Sequence, residues 1–489
     1  MAHGVPDRAE IEQRPSIWAC PGYVPTLLAV ACAFGSWSVL LPIVPLAVLE
    51  AGGSEVLAGG TTGAFILTTV ATQVVTPALL RRFGYRPVMA VSAFLLGVPA
   101  LGHFWGMSVV PALAFSALRG FGFGALTVAE SALVAELVPV RFLGKASGML
   151  GVFLGVSQMV CLPIGLGLVN AGKGFGITYL IGAVIAVGAA AMCLRIPAIK
   201  PADESRRSEP AFEERGAASQ VPTWKLVTIP AAAVMTISMS FGAVSTFLPA
   251  AVIELDPVTG AVIAGFMLSI VGGASMVFRY ASGVIADRRG MPGATIRPGQ
   301  VMACLGVALM AAVMFAEWSV WWLVLAAILF GGGFGIVQNE ALLAMFSRLP
   351  RSRVSDASAI WNGAYDSGTG IGSMLFGVVA AGASFATSFA LGAAVIAVGL
   401  MATIADAIAG RYRIAEYSNT RARLRQVPVA RRAARGARAL RRRAQVTPVE
   451  VANLLRRRPP QPGWKARNAP DRPAPGKASP RDPHSKPKG

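Results

Sequence analysis

The feature that most constrains this chain is a series of long apolar stretches, each about as long as a membrane-spanning helix. A bilayer core requires about 20 consecutive apolar residues in a helix, because no water is present there to satisfy an irregular backbone. Twelve stretches qualify, at roughly 23–49, 56–80, 87–107, 109–138, 145–170, 175–195, 225–253, 259–285, 299–316, 319–347, 356–381 and 385–409. The sequence therefore predicts an all-α integral membrane protein with twelve transmembrane helices.

The distribution of charge predicts how these helices are oriented, because cytoplasmic loops collect Lys and Arg. The loops after the second, fourth, sixth, eighth and tenth stretches are basic, whereas the intervening loops contain Lys173 as their only cation. This alternation predicts a multi-pass protein of the inner membrane with both termini in the cytoplasm.

Polar segments divide the chain into five parts. We predict a cytoplasmic N-terminal segment, a first six-helix bundle, a cytoplasmic central loop, a second six-helix bundle and a basic cytoplasmic tail, at 1–22, 23–195, 196–224, 225–409 and 410–489. From residue 411 onwards the tail has 22 basic and four acidic residues, so it carries +18 of the net charge of +20. Because the rest of the chain is close to neutral, we expect no nucleic-acid partner for this protein.

The composition of the tail, rich in Arg, Pro and Ala with few large apolar residues, is typical of disorder. A basic tail beside a membrane can contact anionic lipid, and we expect such a contact for 411–489. The alternative is a solvated tail with no defined partner.

Sequence landmarks recur at a nearly constant offset, which indicates an internal repeat. Three sets match: Phe34-Gly35 with Phe241-Gly242 at an offset of 207, Gly122-Phe123-Gly124 with Gly333-Phe334-Gly335 at 211, and Arg82-Phe83-Gly84 with Arg288-Arg289-Gly290 at 206. Two copies that run in the same direction predict a pseudo-twofold axis along the membrane normal. A substrate site is then expected between the halves, near the middle of the bilayer.

The segment Gly283-Val284-Ile285-Ala286-Asp287-Arg288-Arg289-Gly290 fits the G-x-x-x-D-R-x-G loop of the major facilitator superfamily. With the repeat, the chain resembles that family over roughly 20–410. The resemblance implies two pseudo-symmetric six-helix bundles, alternating access and no cofactor. It also implies a gating loop made of Gly283, Asp287, Arg288 and Gly290, with Arg82 and Gly84 in the first half.

The first-half copy of this loop departs from the family pattern, because Arg81 stands where the family has Asp. An acid at a helix end that faces cationic loops can hold the cytoplasmic side closed. We therefore expect Asp287 to form such a latch and Arg81 not to form one. The exporter signature of the fifth stretch is only partly matched, because Gln158 and Leu162 stand where Gly is usual.

Within the predicted spans, we place four charged residues near the middle of the bilayer: Asp366, Glu130, Arg119 and Glu340. A bare charge at mid-bilayer costs at least about 2.5 to 3.5 kcal/mol, so these are the candidates for coupling to protons. Arg119 and Glu130 are eleven residues apart, on nearly the same helix face, which predicts that both line one cavity.

Our hypothesis is that Asp366 or Glu130 binds the coupling proton and that Arg119 modulates it. Burial favours the protonated carboxyl group, whereas a nearby Arg favours the carboxylate. The alternative for each acid, including Glu340, is a fixed internal ion pair or hydrogen-bond network that holds helices together.

Aromatic and polar residues of the spans that face the centre of such a fold are candidates for contact with substrate. They are Trp37, Gln158, Phe241, Asn339, Trp361, Asn362 and Tyr365.

The sequence as a whole predicts a monomeric, proton-coupled exporter of a small molecule. The alternatives are a proton symporter that imports a nutrient and a non-transporting receptor or scaffold that acts through its basic tail. An enzyme is not expected, because the sequence has no metal-ligand cluster, nucleophile–base constellation or cofactor loop.

Overall fold

A computed structural model of the chain describes residues 8–200 and 223–409, and these ranges contain helices but no strand. A short helix, Arg8–Gln13, precedes twelve long ones. The long helices are α1 Tyr23–Glu50, α2 Glu55–Phe83, α3 Tyr85–Trp105, α4 Val109–Leu137, α5 Leu143–Asn170, α6 Gly174–Cys193, α7 Thr223–Leu255, α8 Pro257–Arg289, α9 Ile296–Phe315, α10 Trp321–Arg348, α11 Val354–Gly382 and α12 Phe385–Ala409. They coincide with the twelve predicted stretches, although α2 and α8 continue past their predicted ends to Phe83 and Arg289.

Eleven of these helices are long and apolar enough to cross a membrane. The twelfth, α11, is 29 residues long but carries Asp356, Asn362 and Asp366 together with many Ser and Gly residues. It packs against α7 of its own half and against α2 and α4 of the first half. A helix in this position can be polar because its polar face meets protein rather than lipid.

The helices begin and end at residues suited to those positions. Asp256 accepts hydrogen bonds from the backbone N–H groups of Val258 (3.0 Å) and Thr259 (2.9 Å) at the start of α8, where Pro257 is the first helical residue. Bonds from Thr259 hold the pKa of this carboxyl below its usual value. Gly290, at a φ of 59°, follows the last residue of α8, in a left-handed conformation that glycine adopts without strain.

Helix packing confirms the internal repeat at the level of individual contacts. A Cβ atom added at Gly124 of α4 would lie 2.3 Å from the carbonyl oxygen of Thr69 in α2. A Cβ atom added at Gly335 of α10 would lie 2.1 Å from the carbonyl oxygen of Ser275 in α8. These residues correspond at the offsets of 211 and 206, so both halves use the same glycine to bring the same two helices together.

Helices α1 to α6 pack mainly among themselves, and so do α7 to α12. The two halves meet through α5 with α8, α2 with α11, α4 with α11 and α5 with α10. This is the fold of two pseudo-symmetric six-helix bundles that the sequence predicts. The tail 410–489, with its predicted lipid contact, and most of the central loop lie outside the described residues, so the domain boundaries stay a prediction.

Candidate functional site

A cavity of about 750 Å³ lies between the two halves. Four helices of the first half (α1, α2, α4 and α5) and their counterparts in the second (α7, α8, α10 and α11) line it. At one limit it reaches Ser131 and Leu342, and towards the other it passes Thr62 near the start of α2 and Met374 near the end of α11. It therefore extends from the middle of the fold towards the end where α2 begins.

Of the residues that the structure describes, three charged side chains border this cavity: Glu130 on α4, Arg279 on α8 and Asp366 on α11. Glu130 belongs to the first half and the other two to the second, so the three charges come together only where the halves meet. Burying a charge is costly unless it is paired or hydrogen-bonded, so the partners of each define what the site can do.

The carboxylate of Asp366 accepts a hydrogen bond from Nε2 of Gln73 on α2. The same Gln73 nitrogen lies 3.4 Å from Oγ1 of Thr127 on α4, and Nδ2 of Asn362 donates to the carbonyl oxygen of Thr127 at 3.2 Å. In the described part of the chain Asp366 forms no ion pair. Its negative charge is thus held by neutral groups alone.

Arg279 has a different environment. Its guanidinium donates to Oε1 of Gln338 on α10 at 3.1 Å, and a Cβ atom at Gly151 of α5 would lie 2.4 Å from its Nε. Glu130, which is 4% exposed, is the acid whose charge Arg279 partly offsets. Arg279 Nε and Glu130 Oε2 are both buried without a hydrogen-bond partner, so this pair keeps one donor and one acceptor to spare.

The internal repeat relates the two polar groups. Gln73 corresponds to Arg279 at the offset of 206, and Thr127 corresponds to Gln338 at 211. Each half therefore presents a polar residue of its second helix, bonded to its fourth helix, to the opposite half. The two copies have diverged chemically, because the first ends in a neutral amide that meets an acid and the second in a cation.

Aromatic rings of the first half surround Phe123 of α4. Its ring centroid lies 5.1 Å from that of Trp37, 5.3 Å from that of Phe34 and 5.4 Å from that of Phe65. All four side chains border the cavity. We call them the first-half aromatic cluster.

The second half contributes a row of four rings along α7, α10 and α11. Trp361 stacks on Tyr365 with centroids 5.5 Å apart, Tyr365 lies 6.1 Å from Phe334, and Phe334 stacks on Phe241 at 4.6 Å. We call these residues the second-half aromatic row. The repeat relates Phe34 to Phe241 and Phe123 to Phe334, so the cavity has an aromatic wall on each side.

Six of the seven residues predicted to contact substrate border the cavity: Trp37, Gln158, Phe241, Trp361, Asn362 and Tyr365. Asn339 does not border it. Its side chain is fully buried, and Nδ2 lies 2.9 Å from where a Cβ atom of Gly283 would be. The neighbouring Gln338 borders the cavity in its place, because one residue along a helix turns the side chain by about 100°.

The structure separates Arg119 from Glu130, contrary to the prediction that both line one cavity. Arg119 borders a small pocket of about 20 Å³ beside Trp37 and Phe65, and its Nε donates to the carbonyl oxygen of Leu96 at 3.0 Å. Its guanidinium carbon lies 5.8 Å from the centroid of the Phe65 ring. Eleven residues return to the same helix face but advance about 16 Å along the axis, which explains the separation.

Glu340 also lies away from the cavity. Its side chain is fully buried, and Oε2 accepts a hydrogen bond from the backbone N–H of Thr295 at 3.3 Å. Thr295 precedes α9, so Glu340 fixes the loop between α8 and α9. This contact matches the structural alternative for Glu340, a network that holds helices together.

The cavity is closed at the end where α2, α4, α8 and α10 finish, and the gating-loop residue Asp287 contributes to the closure. Its two carboxylate oxygens accept hydrogen bonds from the backbone N–H groups of Gly144 and Lys145, each at 2.7 Å. These amides belong to the first turn of α5 in the opposite half, where the helix dipole favours an anion. Gly283 packs on Gly144 with so little space that an added Cβ atom would lie 2.1 Å from its carbonyl oxygen.

The expectation that Arg81 forms no latch is wrong. Arg81 Nη1 pairs at 3.1 Å with Oδ1 of Asp356, in the first turn of α11 in the opposite half. Arg81 corresponds to Asp287 at the offset of 206, and Asp356 corresponds to Lys145 at 211. The first half therefore has a latch at the equivalent place, with its charges exchanged. The acid that the family has at position 81 is missing, and an acid is present instead at position 356 of the opposite half.

Exchanging the charges of this pair tests whether it holds the halves together. Arg81→Asp is expected to slow transport by up to about fivefold, because exposed ion pairs contribute about 0.2 to 1 kcal/mol and these side chains are 51% and 30% exposed. The double variant Arg81→Asp with Asp356→Arg should recover most of the rate, although Arg is less favourable than Asp in a first turn. Initial rates in vesicles measure both, and a double variant slower than either single one would contradict the pairing.

Further bonds join the halves at the same end. Ser358 donates to the carbonyl oxygen of Val128 at 2.8 Å, and its hydroxyl also bonds that of Ser131. Arg351 donates to the carbonyl oxygen of Ala135 at 3.0 Å. The other gating-loop residues do not cross the interface in this way: Arg82 and Arg288 are exposed, and Gly84 and Gly290 occupy turns at positive φ.

Sequence analysis overlooked Arg279 and Gln73, although Arg279 lies inside the predicted span 259–285. A charge count over that span would have found it, and the offset of 206 would then have led to Gln73. Among the described residues, no group of three or more His, Cys, Asp or Glu side chains could hold a metal ion.

Comparison with known proteins gives one family and one fold. The sequence pattern described as Major Facilitator Superfamily matches residues 26–373, more than half of the chain. No curated protein matches the sequence significantly.

Three solved structures illustrate the similarity of fold. The human organic anion transporter MFSD10 (TETRAN) has a TM-score of 0.61 and 14% identity, covering 80% of this chain and 100% of that one. FucP in the outward conformation, a fucose:proton symporter of E. coli, has a TM-score of 0.61 and 15% identity, covering 78% and 99%. The proton:xylose symporter XylE bound to 6-bromo-6-deoxy-D-glucose has a TM-score of 0.61 and 14% identity, covering 80% and 96%.

Proposed function

Because this chain belongs to the major facilitator superfamily, we propose that it is a proton-coupled exporter of a small molecule, working by alternating access. The observation that carries the proposal is the cavity between two pseudo-symmetric halves, bordered by charges from both. A site at such an interface is exposed to one side or the other as the halves rock.

The ends of the cavity support an assignment of sides. The closed end carries the loops rich in Arg and Lys, which by the positive-inside rule face the cytoplasm. The cavity extends away from those loops, so the conformation described here is outward-facing. In the opposite conformation, the contacts of Asp287 and Arg81 must break and the cavity must open beside them.

Asp366 is the residue we assign to the coupling proton. It borders the cavity, it is bonded to the neutral Gln73, and it has no ion-pair partner among the described residues. A carboxylate without a countercharge gains most from taking up a proton when water is excluded. Glu130 is the second candidate, but the nearby charge of Arg279 already offsets part of its own.

The lining of the cavity favours an apolar molecule as the solute. Aromatic walls on both sides suit a ligand that gains from leaving water. Import of a nutrient with protons uses the same machinery in the other direction, so the direction must be measured.

The direct test is flux in vesicles of defined orientation with an imposed pH gradient, over a chemical panel and with an uncoupler control. An exporter driven by protons accumulates solute in inside-out vesicles whose interior is acidic, and the uncoupler abolishes the accumulation. Depletion under the same gradient would instead indicate a symporter.

Removal of the tail separates transport from a scaffold function. Deleting residues 411–489 should leave the flux unchanged, since the cavity and both latches lie within 8–409. A function that is lost with the tail but unaffected by substitutions in the cavity would support a receptor or scaffold.

A further inference from the structure

The two acids that border the cavity differ in whether a cation lies nearby. The charge of Arg279 partly offsets that of Glu130, and Arg279 is further bonded to Gln338 and held against Gly151. Asp366 has only the amide of Gln73. The cavity therefore has one acid in excess of its cations.

Arg119 does not supply the missing charge. It lies in the separate small pocket, where it is bonded to the carbonyl oxygen of Leu96 and faces the ring of Phe65. The rings of Phe65 and Trp37 border both spaces and stand between them. Within the described residues, no other Lys or Arg than Arg279 borders the large cavity.

The second-half aromatic row begins beside this excess acid. Tyr365 precedes Asp366 on α11, and its ring is parallel to that of Trp361, with 8° between the ring planes. An aromatic face attracts a cation through the ring quadrupole, and the attraction increases when water is excluded. A carboxylate next to stacked rings is thus a combination that recognises a positive group attached to an apolar body.

We propose that the cavity binds an organic cation with an aromatic body, and that the cationic group and the coupling proton occupy Asp366 in turn. The inference rests on the proposed function and names its substrate class. Binding of the cation displaces the proton from the Asp366 carboxyl group to solution, and protonation displaces the cation. This competition by itself produces exchange of one for the other.

An anion fits the same cavity less well. Among the described residues, its one cationic partner at the cavity would be Arg279, which already donates to Gln338 and whose charge is partly offset by Glu130. An anion would also approach Asp366, at a cost from like charges in a medium of low dielectric.

The groups that titrate or carry charge around Asp366 are few. Tyr365 lies on the same helix, Glu130 on α4 and Arg279 on α8, while α2 presents Gln73. Among the side chains that the structure describes, neither α7 nor α10 contributes a charged residue to the cavity. Of these, Glu130 and Asp366 are the groups that gain or lose a proton in the acidic range. Variants at Asp366 distinguish between them.

Tetraphenylphosphonium and tetraphenylborate are suitable probes, because they share four phenyl rings and differ in the sign of their charge. Their binding to the purified full chain is measured by equilibrium dialysis, with protein-free micelles as the blank. The wild-type protein should prefer the cation by at least about tenfold. Lowering the pH from about 8 to about 5.5 should weaken cation binding, because burial without a countercharge favours protonation of Asp366, and the protonated carboxyl group has no charge.

Two variants assign the effect to Asp366, and a third is the control. Asp366→Asn should lower affinity for the cation at least about tenfold, and Gln73→Arg should do the same by placing a fixed cation beside an intact Asp366. Gln73→Arg also keeps the test valid if Asp366→Asn does not fold. Glu55→Gln, at an exposed acid of the first turn of α2, should bind as the wild type does.

A preference for tetraphenylborate, or no saturable binding of either ion, would overturn the cation class. Unchanged cation binding in both Asp366→Asn and Gln73→Arg would overturn the role of Asp366. Either result leaves the transport proposal to its own test, because solute flux over the panel does not depend on these two probes. Absence of flux over the panel together with selective cation binding would instead refute transport and retain the site.

Discussion

Substitution of Asp366 by Asn is expected to abolish the response of transport to a pH gradient. A gradient of one pH unit stores about 1.4 kcal/mol per proton, enough for about tenfold accumulation of a solute, and Asn cannot take up the proton that delivers it. The Asn oxygen can still accept the bond from Gln73, so the cavity should keep its shape. Accumulation should therefore fall from about tenfold to none, measured as solute and proton flux in the same vesicles.

Two variants make this result specific. Asp366→Glu keeps an ionisable group and should retain coupling. Glu340→Gln removes another buried acid, one that bonds Thr295 rather than bordering the cavity, and should retain coupling as well. Proton flux at the wild-type ratio in Asp366→Asn would exclude this residue from coupling and leave Glu130 as the candidate.

Loss of the Asp287 latch is the second large effect that we expect. Asp287→Ala removes two charge-assisted hydrogen bonds of 2.7 Å to the first turn of α5. At about 1.5 kcal/mol or more for each bond, the closed state should lose about 3 kcal/mol, or about a hundredfold in the equilibrium between conformations. Amide hydrogen exchange at Gly144 and Lys145 should accelerate by about the same factor, because Asp287 is the hydrogen-bond acceptor of both amides.

The chain offers a matched control for this latch. Asp256 also accepts bonds from two backbone N–H groups, those of Val258 and Thr259, but within one half and at the other end of α8. Asp256→Ala should accelerate exchange at the start of α8 and leave both α5 and transport unchanged. Slow exchange at Gly144 in Asp287→Ala would mean that the contacts between α5 and α8 close this end without the carboxylate.

The helices and the repeat were predictable because both depend on local chemistry. Apolar stretches of membrane length give the spans, and glycine landmarks at fixed offsets give the pairing of helices in each half. The structure corrects the predictions that required a neighbour to be known. Arg119 and Glu130 share a helix face, but a face does not specify which rings stand between two residues 16 Å apart along it, by about 1.5 Å per residue.

The choice between Asn339 and Gln338 shows what else the repeat contains. Both are polar and adjacent, and span hydropathy cannot tell which one faces the cavity. The offset of 211 relates Gln338 to Thr127, which also borders the cavity, whereas the equivalent of Asn339 is Val128, which does not. Comparing the two halves residue by residue therefore indicates which side chains face the cavity, which the sequence of one half alone does not.

The exchanged charges of the two latches bear on how the halves recognise each other during folding. If two first halves came together, Arg81 would face Lys145, and if two second halves did so, Asp287 would face Asp356. Both of these encounters bring like charges together. In the native pairing, Arg81 instead meets the opposite charge of Asp356, and Asp287 meets the backbone amides at the start of α5. Because the two bundles are duplicates, each could pair wrongly with a second copy of itself. Exchanging the charges in one bundle disfavours this wrong pairing and leaves the pairing of the first half with the second half favourable.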